Sequence, residues 1–312
     1  MKIILISDES WLGGASITNE SIINAGKEKG YDMGIYAYGM NERNQNKEFN
    51  PPKADYYILA NYGYIPPHDL ITFATDNKGK YFRFFHDIPG FISALPSSFF
   101  AESESVLSLL LLNAAKIFMI SPMQHGIVNQ RINLKELEDK ISIIPPYIPL
   151  NDFSDLKKER VKDSWLYLGD INEARGVSKS ISVAIANKAK TFVLAGPEVS
   201  KEYIDNLSKA FGEKIDITYL GIIEYKDVNE IMNRYENFIY TPEIYDSFCR
   251  KVVEAKKAGM KVFVDDKRIG VYSFPEEYDI EEGVLTANKV LWTVIDEVIK
   301  DESNTTTVSG QD

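Results

Sequence analysis

Short apolar runs recur along this chain with amphipathic stretches between them, and that rhythm restricts the possible folds more than any other feature. KIILIS is followed by an amphipathic segment from Ser16 to Lys29, then by MGIYAYG, DYYILAN and, after a loop, YFRFFHD. Such alternation is the signature of βαβ units, in which each run is a strand of a parallel sheet and the segment after it is the helix that returns the chain. Ser103 to Asn113, KIFMIS and Pro122 to Gln130 continue the pattern, and ISIIPPYIP closes the first half. Pro145, Pro146 and Pro149 cannot lie inside a central strand, so they mark a loop and a domain boundary, with the linker falling near residues 150 to 160.

The second half restarts the rhythm. SWLYLG leads to a helix from about Ser178, then TFVLAG, a helix through Tyr203 to Phe211, IDITYLG, FIYTP and KVFVDD. A helix from about Phe248 to Ala258 is stopped by Gly259, and a last one covers Asn288 to Lys300. A chain of 312 residues exceeds the size at which single cores stop growing. The expectation is therefore an α/β protein of two Rossmann-like, doubly wound domains facing across a cleft, with ligand at the carboxyl ends of the strands. The predicted division is 1–155, 156–300 and a flexible tail at 301–312.

Charge and cysteine usage narrow the function classes. A net charge of −11 repels polyphosphate backbones, which argues against a nucleic-acid partner. The single cysteine, Cys249, excludes an intrachain disulfide and suits a cytoplasmic location. The opening MKIILIS has too short an apolar run for a secretory signal, and the stretch from Val106 to Ile120 is broken by Asn113 and Lys116, so no transmembrane segment is expected. Contact with a membrane surface stays open. Neither a G-x-S-x-G elbow nor a P-loop occurs, and Gly13-Gly14 lacks the spacing of a dinucleotide fingerprint. His68, His86 and His125 do not form a metal-ligand spacing, and Asp265-Asp266 is not a D-x-D motif, so no catalytic metal is expected.

The stretch YTPEIYDSFCRKVVEAKKAGMKVF carries the chemistry. Asp246 and Glu254 stand eight residues apart, one before a helix and one inside it, a span of ~12 Å if helical. That length suits a sugar nucleotide with hydroxyls at each carboxylate and the diphosphate between them, facing helix N-terminal amides. The segment resembles the E-x7-E block of retaining GT-B glycosyltransferases, with Asp246 at the first glutamate and Ser247-Phe248 at the usual Gly-Phe. The resemblance implies that Asp246 holds donor-sugar hydroxyls, that amides of Ser247, Phe248 and Cys249 hold sugar and phosphate oxygens, and that Glu254 binds ribose. Cys249 stands where the family has glycine.

SWLYLG followed by DINEARGVSKSI resembles the opening of that family's donor domain, with Gly169, Arg175 and Gly176 in matching places. Arg175 is the cation expected to stabilise charge growing on the leaving diphosphate. Asp170 stands where the family has arginine, and Arg250 and Lys251 are the candidate compensating cations. In the first half Gly13 and Gly14, FRFFHD with His86, and KIFMIS followed by ISIIPPYIPLNDF agree with the family. The expected catalytic residues are Arg175, Asp246 and His86, and the expected donor-binding residues are Gly13, Gly14, Gly169, Ser247, Phe248, Cys249, Arg250, Lys251 and Glu254. The implied activity is transfer of a sugar, with retention, from a nucleotide-diphosphate sugar to an unidentified acceptor, without a further cofactor. A binding module without turnover, and a nucleotide-sugar epimerase or hydrolase, are the alternatives.

Overall fold

Every apolar run read from the sequence forms a strand. The computed structural model describes residues 1–8, 13–38, 48–63, 65–87, 104–198 and 200–308. Ser103, Gly39 and the tail beyond residue 308, all part of predicted segments, lie outside these. The chain groups into two units, Met1–Ile148 with Phe274–Asp312, and Pro149–Ser273.

In the first unit β1 (Lys2–Asp8), β2 (Asp32–Tyr38), β3 (Tyr56–Leu59), β4 (Tyr81–Phe84), β5 (Lys116–Met119) and β6 (Ile141–Ile143) form a sheet of order β2-β1-β3-β4-β5-β6. Every pairing is parallel. Helices α1 (Gly14–Glu28), α2 (Pro67–Asp76), α3 (Glu104–Asn113) and α4 (Pro122–Arg131) connect the strands. All residues of β3 and β4 are buried, as a parallel sheet covered on both faces requires. The start of α4 follows from Ser121, whose side chain accepts from the Gln124 amide, and from Pro122 at the first helical position. Helix α2 falls where the sequence suggests only a loop. Its Pro66-Pro67 opening pre-sets the first turn, and Leu70, Phe73 and Ala74 then bury one face.

The second unit repeats the plan. Strands β7 (Val161–Leu168), β8 (Thr191–Ala195), β9 (Asp216–Tyr219), β10 (Tyr235–Tyr240) and β11 (Lys261–Val264) take the order β11-β10-β7-β8-β9, again all parallel. Helices α5 (Val177–Ala186), α6 (Lys201–Phe211), α7 (Val228–Arg234) and α8 (Arg250–Lys257) join them. The chain steps outward from β7 to β9, then returns to place β10 on the other side of β7. That reversal makes the carboxyl ends of β7 and β10 a topological switch point, where open α/β sheets bind ligands.

The last helix, α9 (Ile280–Val308), departs from the predicted division. It groups with the first unit rather than completing the second, and it runs through residues expected to form a tail. Trp292 is fully buried, stacks on Tyr31 at 5.0 Å and donates from Nε1 to the Ile22 carbonyl at 3.0 Å. Asp296 accepts from Lys29 Nζ at 2.6 Å and from the Tyr31 hydroxyl at 2.7 Å, and Glu302 accepts from Tyr56 at 2.5 Å. These polar ties extend α9 past the point where its apolar periodicity ends. Among the described residues no helix is long and apolar enough to cross a membrane.

Candidate functional site

Arg175 and Asp246 meet at the switch point of the second sheet. The loop after β7 is short and tightly held: the buried Tyr167 hydroxyl lies 3.1 Å from the carbonyl oxygens of both Asp170 and Arg175. The Ile171 amide donates to the Pro197 carbonyl at 2.8 Å, and the Glu243 amide, just past β10, donates to Ala174 at 3.0 Å. Glycine is required twice. Gly176 has φ +72°, and a Cβ there would lie 1.9 Å from the Thr241 carbonyl oxygen; Gly196 has φ +132°, and a Cβ would lie 2.1 Å from the Gly169 carbonyl oxygen. Strand ends thus approach more closely than any side chain permits, and the backbone carrying Arg175 is pinned against the end of β10.

The Arg175 guanidinium lies 3.3 Å from the Tyr240 hydroxyl and 3.4 Å from Asp246 Oδ2, while Tyr240 itself donates to that same Oδ2 at 2.8 Å. Asp170 Oδ2 stands 3.8 Å from Arg175 Nε. Burial alone would lower the guanidinium, but Tyr240, Asp246 and Asp170 together hold it above its ordinary value. Burial, reinforced by Asp246, raises the Tyr240 hydroxyl far out of the physiological range, so it serves as a neutral donor. Asp246 Oδ1 accepts from the Phe248 amide at 3.2 Å. Its backbone is set by the segment after β11: the Asp246 amide donates to Arg268 at 2.8 Å, and its carbonyl accepts from Gly270 at 2.9 Å.

Helix α8 begins at Arg250, so only the last four of the eight steps from Asp246 to Glu254 are helical. Ser247 and Phe248 are buried, and Cys249 precedes the helix in a left-handed conformation, φ 63° and ψ 77°, at the position the sequence comparison gives to glycine. Burial first, and Asp246 second, push its thiol well above the usual cysteine range. Glu254 is 2% exposed and accepts from the Tyr225 hydroxyl at 3.0 Å. Arg250 Nε lies 3.8 Å from Glu254 and its guanidinium 6.0 Å from the Tyr225 ring, so the first of the two candidate compensating cations is already engaged within the protein. Lys251, on the same first turn of α8, stands outside that pair.

In the first unit, Gly13 caps α1 with extended backbone and, among the described residues, no atom within 4 Å of the position of a Cβ, and Gly14 opens the helix. His86 follows β4, buried, with Nε2 2.7 Å from Asn19 Oδ1. His68 and His125 pair with Asp69 and Glu138 at 2.7 and 3.2 Å. Among the described residues no group of three or more His, Cys, Asp or Glu gathers as a metal site would require. The sequence pointed to Arg175 and Asp246 but not to Tyr240, Tyr225 or Tyr167, because a tyrosine within an apolar run reads as core. It also gave no signal for the residues 268–271 that hold Asp246.

No protein-family model and no curated protein matches the sequence. Solved structures do. HepE of Anabaena, in complex with UDP and glucose, is similar with a TM-score of 0.65 at 12% identity, over 98% of this chain and 99% of that one. Sucrose-phosphate synthase of Thermosynechococcus elongatus gives 0.66 at 13%, over 94% and 90%. WaaG, a glycosyltransferase involved in lipopolysaccharide biosynthesis, gives 0.61 at 14%, over 93% and 90%. At these identities the likeness is one of fold, and the fold of this chain is GT-B.

Proposed function

We propose that the protein is a glycosyltransferase that takes a sugar from a nucleotide-diphosphate donor bound by the second unit and passes it, with retention, to an acceptor hydroxyl. The observation that carries this reading is the joining of Arg175, Tyr240 and Asp246 at the β7/β10 switch point of a GT-B fold. Cleavage of the sugar–phosphate bond leaves negative charge on the diphosphate, and a fixed guanidinium beside it lowers the barrier without reorganising. Asp246, oriented by three donors, presents remaining lone pairs to sugar hydroxyls. Glu254 and Tyr225 hold the ribose, and the exposed Ile222 nearby in sequence offers apolar surface to the base. Lys251 meets the diphosphate from the first turn of α8. The donor is a substrate, and the reading calls for no additional cofactor; the single cysteine favours the cytoplasm as its setting.

UDP-, GDP- and ADP-sugars, screened by thermal shift, test the nucleotide site, since a ligand at 100 times its dissociation constant stabilises by about 2.7 kcal/mol. A shift selective for one base and lost in Glu254→Ala supports the reading. No shift with any donor on folded protein refutes it. The anomeric configuration of the product then reports retention. One observation favours a second reading: Arg175 is flanked by two carboxylates, Asp170 and Asp246, which oppose a diphosphate. Donor binding without acceptor-dependent consumption would identify a sugar-nucleotide binding module instead.

A further inference from the structure

One arginine grips both ends of the turn that carries Asp246. Arg268 lies just past β11, and its carbonyl accepts from the Asp246 amide at 2.8 Å. Its guanidinium reaches back to the start of the same turn: Nη1 donates to the Pro242 carbonyl at 3.3 Å, to the Glu243 carbonyl, and to Glu243 Oε2 at 3.1 Å. The turn also touches the other half of the site, since the Glu243 and Ile244 amides donate to the Ala174 carbonyl at 3.0 and 3.3 Å, one residue before Arg175. Two acids and a lysine steady the guanidinium. Asp265 Oδ2 lies 3.9 Å from Arg268 Nε and 3.0 Å from Lys179 Nζ, and Lys179 Nζ lies 3.8 Å from Glu243 Oε1. Lys179 stands on α5, the helix that follows Arg175, so the four charges close a ring from that helix, through the end of β10, to the segment after β11.

We infer that Arg268 is a positioning residue that fixes the separation of Asp246 from Arg175, its side chain holding residues 242 and 243 while its main chain holds residue 246. Its use in sugar transfer rests on the glycosyltransferase reading; the clasp does not. Arginine suits the task because its fork offers several N–H groups in a fixed plane, whereas a lysine ammonium is a point charge on a flexible stem. The surrounding ion pairs are partly exposed, and each contributes little alone. Their effect is to deny the guanidinium other positions. No sequence pattern marks Arg268: in DDKRIG it reads as one more charge in a polar loop.

Hydrogen exchange on the full-length protein reads the clasp without any substrate. Arg268→Ala leaves the backbone bond possible but removes the grip on residues 242 and 243. It is expected to speed exchange of the Asp246 amide at least about tenfold while the Leu166 and Tyr167 amides in β7 are unchanged. Unchanged protection at Asp246 in the folded variant overturns the inference, and so does equal loss at Asp246 and in β7, which would make Arg268 a general stabiliser. Glu243→Gln, a milder change that keeps both carbonyls and removes one charge of the ring, serves if Arg268→Ala does not fold. It is expected to speed Asp246 exchange at least about threefold, and no change there overturns the inference too. In transfer, misplacing a reacting group by about 1 Å costs roughly 100-fold in rate. Arg268→Ala is therefore expected to lower kcat at least about tenfold while donor KM moves less than about threefold, because Glu254 and Tyr225, which hold the ribose in this reading, lie outside the clasp. An unchanged kcat, or a loss confined to KM, overturns the positioning role. If the wild type consumes no nucleotide sugar, the glycosyltransferase reading fails, and the exchange measurement alone decides the clasp.

Discussion

Replacing Gly176 with alanine tests whether the close approach of the β7 loop to the end of β10 is what fixes Arg175. Two costs are expected. Alanine at φ +72° enters the left-handed region, worth about 1–2 kcal/mol. Its Cβ would also be placed 1.9 Å from the Thr241 carbonyl oxygen and 2.7 Å from the Thr241 carbonyl carbon, both backbone atoms that no rotamer change can move. Overpacking of this kind adds about 1–3 kcal/mol. Restricting the unfolded chain returns roughly 0.4–1 kcal/mol, leaving a net loss of about 1–5 kcal/mol. Gly221 supplies the control: its φ is +77°, but no atom lies within 4 Å of its Cβ position, so Gly221→Ala bears only the conformational cost and should lose about 1 kcal/mol or less. Hydrogen exchange of the β7 and β10 amides reads both variants locally. A difference of about 2 kcal/mol between them is roughly a 30-fold difference in protection. Equal losses in the two variants would refute the close-approach argument, and donor affinity retained in Gly176→Ala would show that Arg175 does not depend on it.

Four further outcomes are expected. Gly26→Ala would set a Cβ 2.3 Å from the buried Trp292 ring, so it should detach α9 and destabilise the first unit by about 1–3 kcal/mol, seen as loss of Trp292 fluorescence shielding; an unshifted melt would contradict the packing. Burial raises Asp296, but bonds from Lys29 and Tyr31 more than offset it and hold the carboxyl below its usual range. Its contribution is therefore present above about pH 3.9 and lost as pH falls through the lowered folded value, so Asp296→Asn should cost roughly 0.2–1 kcal/mol at neutral pH and nothing in strong acid, by paired thermal melts. Asp170→Asn removes one of the two carboxylates beside Arg175 and should tighten donor binding up to about fivefold, given that the pair is partly exposed; weaker binding in calorimetry would assign Asp170 a contact with the donor instead. The raised thiol of half-buried Cys249 should react with iodoacetamide at neutral pH more slowly than an ordinary thiol, and labelling at the ordinary rate would contradict the raised value.

The strands were legible because a parallel strand covered on both faces must be a near-continuous apolar run. Of the candidate site, the sequence singled out Arg175 and Asp246, and the fold brings the two to 3.4 Å. What the residues do to one another was not legible. Arg250 and Lys251 are equivalent as letters, yet the helix turns Arg250 onto Glu254 four positions along and leaves Lys251 outside that pair. Tyr240 reads as the last apolar residue of a strand, and only the return of residues 268–271 behind Asp246 reveals its hydroxyl as a donor to the site. Helix α7, seven residues long, is too short for periodicity to show. The amphipathic face of α9 announces that the helix packs on something, but not on which sheet.

The position of α9 has a consequence for how the molecule is made. The whole of residues 149–273 lies between the body of the first unit and the helix that completes it. A ribosome therefore releases every strand of the second sheet before it makes Trp292, and the first sheet must wait with the surface over Gly26 uncovered while its neighbour in sequence is translated. The second unit holds all the strands of its sheet in one uninterrupted stretch and can close as soon as it emerges. The first is completed by α9, which follows the second unit in sequence, so a gene cut after residue 155 would express a sheet without that cover, while the internal piece would be the one to survive alone.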